Sequence, residues 1–119
     1  MVKTNGLTHI NLNVRDIKKS LKFYQEAFGL QIRFWERDRM VFLNTPGCRD
    51  TITLCQAGPS EPVAGGGVSH FGFGVAKADL DQAVREVERA GGRVLERGQH
   101  GPGIPFVYVA DPDGYVIEL

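Results

Sequence analysis

The sequence predicts an α+β fold made of two tandem βαβββ modules. A pattern of one strand, one helix and three strands runs through residues 1–56 and starts again over residues 68–119. Between them, residues 57–67 are rich in Gly and Pro and show no periodicity, which is typical of a linker. A chain of 119 residues is long enough for one domain with its own core. We therefore expect one domain, residues 1–119, that contains two structural repeats.

The composition favours small-molecule chemistry. Fourteen basic and fourteen acidic side chains cancel, so neither nucleic acid nor an anionic membrane is an expected partner. The first residues do not resemble a signal peptide, and no apolar run approaches the ~20 residues of a membrane span. We expect a cytoplasmic protein in which Cys48 and Cys55 are free thiols, with a disulfide between them as the less favoured alternative.

The first module is predicted from its periodicity. In residues 7–14 polar and apolar side chains alternate, so His9, Asn11 and Asn13 share one face of a strand. Asp16 is a suitable N-cap for a helix over residues 17–28, and Gly29 is a suitable C-terminal stop. Three strands are then predicted over residues 31–36, 40–44 and 51–56.

The second module repeats this order. Residues 68–75 alternate as residues 7–14 do, and a helix is predicted over residues 78–90. Strands follow near residues 93–97, 106–109 and 115–119. The turn Asp111-Pro112-Asp113-Gly114 predicts that the last two strands form a hairpin, because it places an Asx acceptor first, Pro second and Gly last.

The two modules overlay without gaps in their first strand. Residues 6–10 fall on residues 67–71, so His9 and His70 are equivalent. In the last strand of each module, Thr53 falls on Glu118. A local twofold axis brings equivalent strand positions together, so we expect these four side chains to converge.

Three of the four side chains are candidate metal ligands. His9, His70 and Glu118 offer two imidazoles and one carboxylate, which leave coordination positions open, as in catalytic sites. Thr53 is interpreted as a non-ligand that touches metal-bound water. The alternative reading is that each histidine is half exposed on its strand and that Glu118 is a solvated charge near the C-terminus.

With these residues in paired βαβββ units, the chain resembles the vicinal oxygen chelate superfamily over essentially its whole length. That superfamily includes glyoxalase I, extradiol dioxygenases, fosfomycin-resistance thiol transferases, methylmalonyl-CoA epimerases and bleomycin-binding proteins. The resemblance implies a cup-shaped, partly closed mixed β-sheet that binds a divalent metal through His9, His70 and Glu118. It also implies a homodimer, because family members commonly pair and exposed strand edges need cover.

Residues 98–118 resemble the extradiol dioxygenase signature. The matching positions are Gly98, His100, Val107, Tyr108, Asp111, Pro112, Gly114 and Glu118. This resemblance implies Fe(II) as the favoured metal, with Mn, Zn or Ni as alternatives, and a substrate that chelates the metal through adjacent oxygens. His100 and Tyr108 are the implied catalytic residues. The sequence departs from the ring-cleaving pattern in having no histidine between His9 and His70.

Other activities of the superfamily remain open. Glyoxalase I usually has Glu where this chain has Thr53, and the thiol transferases have Lys and Ser residues where this chain has Gly98, Pro102 and Phe106. Isomerase, lyase or thiol transferase chemistry is the first alternative. A metal-free module that sequesters a planar ligand, as bleomycin-resistance proteins do, is the second. Its stacking surface would come from Phe34, Trp35, Phe42 and Phe106.

Overall fold

The computed structural model describes all 119 residues and contains eight strands and two α-helices. The first module comprises β1 (Ile10–Val14), α1 (Ile17–Phe28), β2 (Gln31–Glu36), β3 (Met40–Asn44) and β4 (Ile52–Gln56). The second module comprises β5 (Phe71–Gly72), a short 3₁₀ turn (Lys77–Asp79), α2 (Leu80–Arg89), β6 (Arg93–Gln99), β7 (Pro105–Ala110) and β8 (Val116–Glu118).

Each module forms its own four-stranded mixed sheet. The strand order is β1-β4-β3-β2 in the first sheet and β5-β8-β7-β6 in the second. In both sheets the first and last strands of the module run parallel, and the other neighbours are antiparallel. Ile10 pairs with Ile52 as Phe71 pairs with Ile117. The α+β class and the duplicated topology are therefore confirmed, and the register makes Thr53 and Glu118 equivalent.

The first helix begins and ends where the sequence predicts. The Asp16 carboxylate accepts hydrogen bonds from the backbone N–H groups of Lys18 and Lys19, at 3.0 and 3.2 Å. Gly29 ends the helix in the left-handed conformation, with a φ of 65°. The second helix differs slightly from its prediction, because its first turn is 3₁₀ and the α-helical part starts at Leu80.

The first strand of each module is shorter than predicted. Residues 7–9 and 68–70 lie outside the ladders, because β4 begins opposite Ile10 and β8 reaches only as far as Phe71 in register. Residues 73–75 also lie outside a strand, since β8 ends after Glu118. An alternating sequence favours extended backbone, but a strand also needs a partner strand alongside the same residues to form ladder hydrogen bonds.

The hydrophobic core joins the two modules through the helices. One cluster of buried side chains draws on both helices and on the helix-facing side of both sheets, and it includes Phe23, Leu43, Leu54, Val84, Val87, Val109 and Ile117. α1 packs against α2. The rings of Phe28 and Phe73 stack across the two modules with centroids 4.4 Å apart. None of the helices is long and apolar enough to cross a membrane.

A buried tyrosine and a buried aspartate connect α1 to the last hairpin. The hydroxyl of Tyr24 donates to Asp111 Oδ2 at 2.9 Å, and Asp111 Oδ1 accepts the backbone N–H groups of Asp113 and Tyr115. Burial raises the pKa of Asp111, although these hydrogen bonds oppose the rise. The predicted turn is present, and Asp111 holds it against the other module.

The opposite side of each sheet, called here the open face, carries no helix. All residues of β2 are exposed, and Phe34 on its open face is 51% exposed. Trp35 lies opposite the buried Val41, so it belongs to the helix-facing side and not to the proposed stacking surface. The Cα radius of gyration is 14.8 Å, above the ~13.5 Å expected for a compact chain of this length.

Candidate metal centre

Four positions in register cross the open face of the second sheet. Gly72 pairs with Glu118, Glu118 with Tyr108, and Tyr108 with Glu96. The side chains of Glu118, Tyr108 and Glu96 therefore lie on the same face, since directly paired residues point the same way. The row brings the predicted ligand Glu118 beside the predicted catalytic residue Tyr108.

The carboxylate of Glu118 contacts two histidines. Its Oε2 lies 3.1 Å from His70 Nε2, and its Oε1 lies 3.0 Å from His100 Nε2. The Glu118 side chain is about a quarter exposed, so this charge lies in a shallow, partly wet position and not in the core. Two of the predicted ligands and the predicted catalytic histidine thus meet within one chain.

Aromatic rings surround this carboxylate. His70 lies against Tyr108 with ring centroids 5.0 Å apart, and His100 stacks on Phe106 at 4.3 Å. The pKa of Tyr108 is raised, first by desolvation on this face and then by the negative charges of Glu118 and Glu96. A raised pKa keeps the phenol neutral, so the Tyr108 hydroxyl is suited to donate a hydrogen bond to an oxygen bound beside it.

The structure places His9 elsewhere. His9 is exposed and lines a cleft on the first sheet, whereas His70 lines a separate cavity beside β1. The hydrogen-bond partner of its ring is the preceding residue, with Thr8 Oγ1 2.9 Å from His9 Nδ1. One chain therefore does not bring His9 to His70 and Glu118.

The equivalent histidines share one local arrangement. Ser69 Oγ lies 3.0 Å from His70 Nδ1, as Thr8 Oγ1 does from His9. The contact of His70 Nε2 with Glu118 needs a proton on Nε2. Once a metal replaced that contact, the hydroxyl could accept a hydrogen bond from Nδ1–H and so hold the tautomer whose Nε2 lone pair binds a metal. The sequence holds this signal, because a hydroxyl residue precedes both histidines.

Thr53 occupies the position of Glu118 on the first sheet. It lies in register between Asn11 and Phe42 and is 1% exposed. Its hydroxyl oxygen is buried without a hydrogen-bond partner. The predicted contact of Thr53 with a metal-bound water stays a prediction, and the unpaired hydroxyl is compatible with it.

The donor set of one chain fits half of a metal site. His70 and Glu118 are donors of the type that divalent transition metals take, and they lie within reach of each other on an open surface. No three His, Cys, Asp or Glu side chains of one chain are arranged to hold a metal ion. Both imidazoles near Glu118 point at its carboxylate oxygens and enclose no common cation position. Cys48 and Cys55 are free thiols and lie outside this cluster.

Comparison with known proteins places the chain in a family. Residues 6–119 match the model of the Glyoxalase/Bleomycin resistance protein/Dioxygenase superfamily, and the chain belongs to that superfamily. The resemblance to vicinal oxygen chelate proteins is confirmed.

Two curated relatives cover nearly all of the chain. It is 31% identical to a protein named probable lactoylglutathione lyase from Vibrio parahaemolyticus, over 98% of this chain and 91% of the relative. It is 28% identical to glutathione transferase FosA of Serratia marcescens, over 96% and 79%. The dioxygenase branch is thus not singled out.

The fold is confirmed by a solved structure. The fosfomycin resistance protein FosX of Listeria monocytogenes was solved as a mutant in complex with Mn(II) and 1S,2S-dihydroxypropylphosphonic acid. It aligns with a TM-score of 0.79 at 21% identity, over 98% of this chain and 90% of FosX.

Proposed function

We propose that this protein is a metal-dependent enzyme whose divalent metal is held by His70 and Glu118 of one copy and by His9 of a second copy. The named relatives are enzymes, and this protein is an enzyme of the same superfamily. The observation that carries the proposal is the position of Glu118 between two imidazoles on an open face. A metal ion bound by both the carboxylate and one imidazole would replace their direct contact.

A second copy is needed because His9 precedes β1 of the first module, away from His70 and Glu118 of the second module. Large apolar side chains are exposed beside these sites, among them Leu7, Phe34, Val68, Leu95 and Ile104. Strands β1 and β5 are also edge strands without a partner on one side. A homodimer that sets the first sheet of one copy against the second sheet of the other would cover these groups and complete the ligand set.

Each residue of the site has a role that its contacts support. His70 Nε2 and Glu118 Oε2 would hold the metal, with His9 as the third ligand. His100 would keep its hydrogen bond to Glu118 Oε1 and so fix the orientation of the carboxylate. Tyr108, which its raised pKa keeps neutral, would donate a hydrogen bond to a substrate oxygen. The metal, when bound, would polarise two adjacent oxygens of the substrate.

Ring-opening dioxygenation of a catechol is the first reaction we propose. His100 and Tyr108 both face Glu118, as expected if they contact a substrate bound there. Fe(II) is then the metal to load first. A lyase or thiol transferase reaction is the second candidate, and it is favoured by the names of the two curated relatives. Mn(II) is the metal to load for that reaction, since FosX was solved with it.

The shared site is tested by mixing two inactive variants. His9→Ala and Glu118→Ala each remove one ligand from every site, so each alone should bind no stoichiometric metal. After the two are unfolded and refolded together, half of the dimers contain both chains. In each mixed dimer one of the two sites has all its ligands, so roughly a quarter of the sites should bind Mn(II). If mass spectrometry verifies the mixed dimers and they still bind no metal, the result would contradict a site between copies.

The reaction is tested with protein loaded anaerobically with Fe(II). Catechol-dependent oxygen uptake that is lost in His100→Ala, with metal content unchanged, is the expected result for dioxygenation. Metal binding without oxygen uptake, together with turnover of a glutathione hemithioacetal or a thiol acceptor by Mn(II)-loaded protein, would move the assignment to lyase or transferase.

A further inference from the structure

A bulge in the first sheet places an arginine on its open face. Ile32 pairs with Leu43 and Phe34 pairs with Phe42, so Arg33 is an extra residue without a partner on β3. Such a bulge redirects a side chain. Arg33 lines the cleft on the open face and its guanidinium lies 3.4 Å from Thr51 Oγ1.

A second arginine lines the same cleft. The cleft has a volume of about 440 Å³ and contains Arg33, Arg49 and His9 but no acidic side chain. Neither guanidinium pairs with a carboxylate. The nearest acidic residue in sequence, Asp50, is engaged by the backbone N–H and the hydroxyl of Thr45.

The wall of the cleft is aromatic. Phe34 and Phe42 also line it, and their rings stack with centroids 4.2 Å apart and planes 19° apart. A flat apolar surface beside two unpaired guanidiniums suits a ligand that joins a planar or apolar body to an oxyanion. The open face of the second sheet carries Glu118 and Glu96 instead, so an oxyanion would be repelled there.

We propose that Arg33 and Arg49 form a subsite for a carboxylate or phosphonate group of the substrate, next to the metal ligand His9. This inference rests on the proposed function, which places the metal beside the subsite. The subsite would hold one end of the substrate while the adjacent oxygens of the substrate reach the metal. The two guanidiniums determine which substrates bind, and the second sheet of the partner copy supplies the chemistry.

Calorimetric titration of Mn(II)-loaded protein with phenylphosphonate and benzoate tests the subsite, with neutral benzamide as the comparison ligand. Arg33→Gln and Arg49→Gln should each weaken binding of the two anions by at least about tenfold, the effect of losing one charge-assisted hydrogen bond. Arg37→Gln is the matched control, because Arg37 lies in the β2–β3 turn outside the cleft and loses the same charge. Both arginines are exposed, so these variants should fold.

Metal content, measured in the same samples, separates the two proposals. Anion binding that depends on Arg33 and Arg49, in protein that takes up no metal, would support the subsite and overturn the metal-dependent function. Stoichiometric metal with anion affinities unchanged in both variants, or with benzamide bound as tightly as benzoate, would overturn the subsite alone.

Discussion

The two modules share one backbone plan and carry opposite chemistry on their open faces. In the first sheet the row in register is Asn11, Thr53, Phe42 and Phe34, and in the second it is Gly72, Glu118, Tyr108 and Glu96. Each sheet also has a bulge at the same place, which presents Arg33 in one and Leu95 in the other. Both faces carry aromatic rings, but the charged side chains on the first face are basic and those on the second are acidic.

This difference shows how a duplicated fold can divide a site between its halves. In both modules a histidine directly precedes the first strand, and that strand pairs in parallel with the last strand of the module, β4 or β8. Only the second module has a carboxylate there, because Glu118 stands where the first module has Thr53. Under the proposed function, the acidic face would bind the cation and the basic face would bind the anionic end of the chelating substrate.

Removing the carboxylate should have the largest effect on this contrast. Glu118→Gln keeps the size of the side chain but removes the charge that both imidazoles contact, so metal affinity should fall by more than about a hundredfold. Glu96→Gln is the matched control from the same row and should change affinity by less than about threefold. Competition with a fluorescent chelator measures both. Equal losses in the two variants would mean that overall charge, not ligation, holds the metal.

The connection between the modules is tested by Tyr24→Phe. The change leaves Asp111 Oδ2 buried without the Tyr24 hydroxyl, so the free energy of unfolding should fall by about 2 kcal/mol. Tyr115→Phe is the comparison, because Tyr115 donates to the Asn13 carbonyl across the same boundary in a half-buried place. Its loss should be about 1 kcal/mol. Urea unfolding monitored by circular dichroism measures both.

The stability lost in Tyr24→Phe should also depend on pH. Because the pKa of Asp111 is raised in the folded protein, the folded state holds this proton more tightly than the unfolded state. Stability from this group is therefore present at low pH and lost as pH rises through the folded pKa. The hydrogen bond from Tyr24 lowers that pKa, so Tyr24→Phe should lose more stability at about pH 7 than at about pH 4. A loss that shrinks with rising pH would contradict an ionised Asp111 as the acceptor.

The shared hydroxyl contacts should have a smaller effect. Thr8→Val and Ser69→Ala remove the hydroxyl oxygens beside Nδ1 of His9 and His70. Each variant should bind the metal about tenfold more weakly, because the histidine ring is no longer held in the tautomer that binds a metal. If His9 is a ligand in the dimer, Thr8→Val and Ser69→Ala should reduce the metal affinity of the dimer by similar amounts. Loss in Ser69→Ala alone would remove His9 from the ligand set.

Thr53→Val should have the smallest effect, and it should be favourable. The hydroxyl has no partner in a nearly fully buried place, so its replacement by an isosteric methyl group should stabilise the metal-free protein by about 1 kcal/mol. Thermal unfolding without metal measures it. Destabilisation would show that the hydroxyl has a partner, such as an ordered water.

Much of the fold could be predicted because its signals are local. Asp16 and Gly29 bound α1 through hydrogen bonds and a φ value that depend on a few neighbouring residues. The Asp111 to Gly114 turn is equally local. The length of a strand is not local, and so the segments before Ile10 and Phe71 were predicted as strand although no partner strand reaches them.

The candidate site divides in the same way. Sequence periodicity and duplication singled out His9, Thr53, His70 and Glu118, and the resemblance to the dioxygenase signature added His100 and Tyr108. The tertiary structure decided that His9 lies apart from them in one chain, that Trp35 faces the helices and that Arg33 reaches the cleft. The physical reason is that alternation fixes the side of a strand, whereas bulges and the packing of one module on another depend on contacts far apart in the sequence.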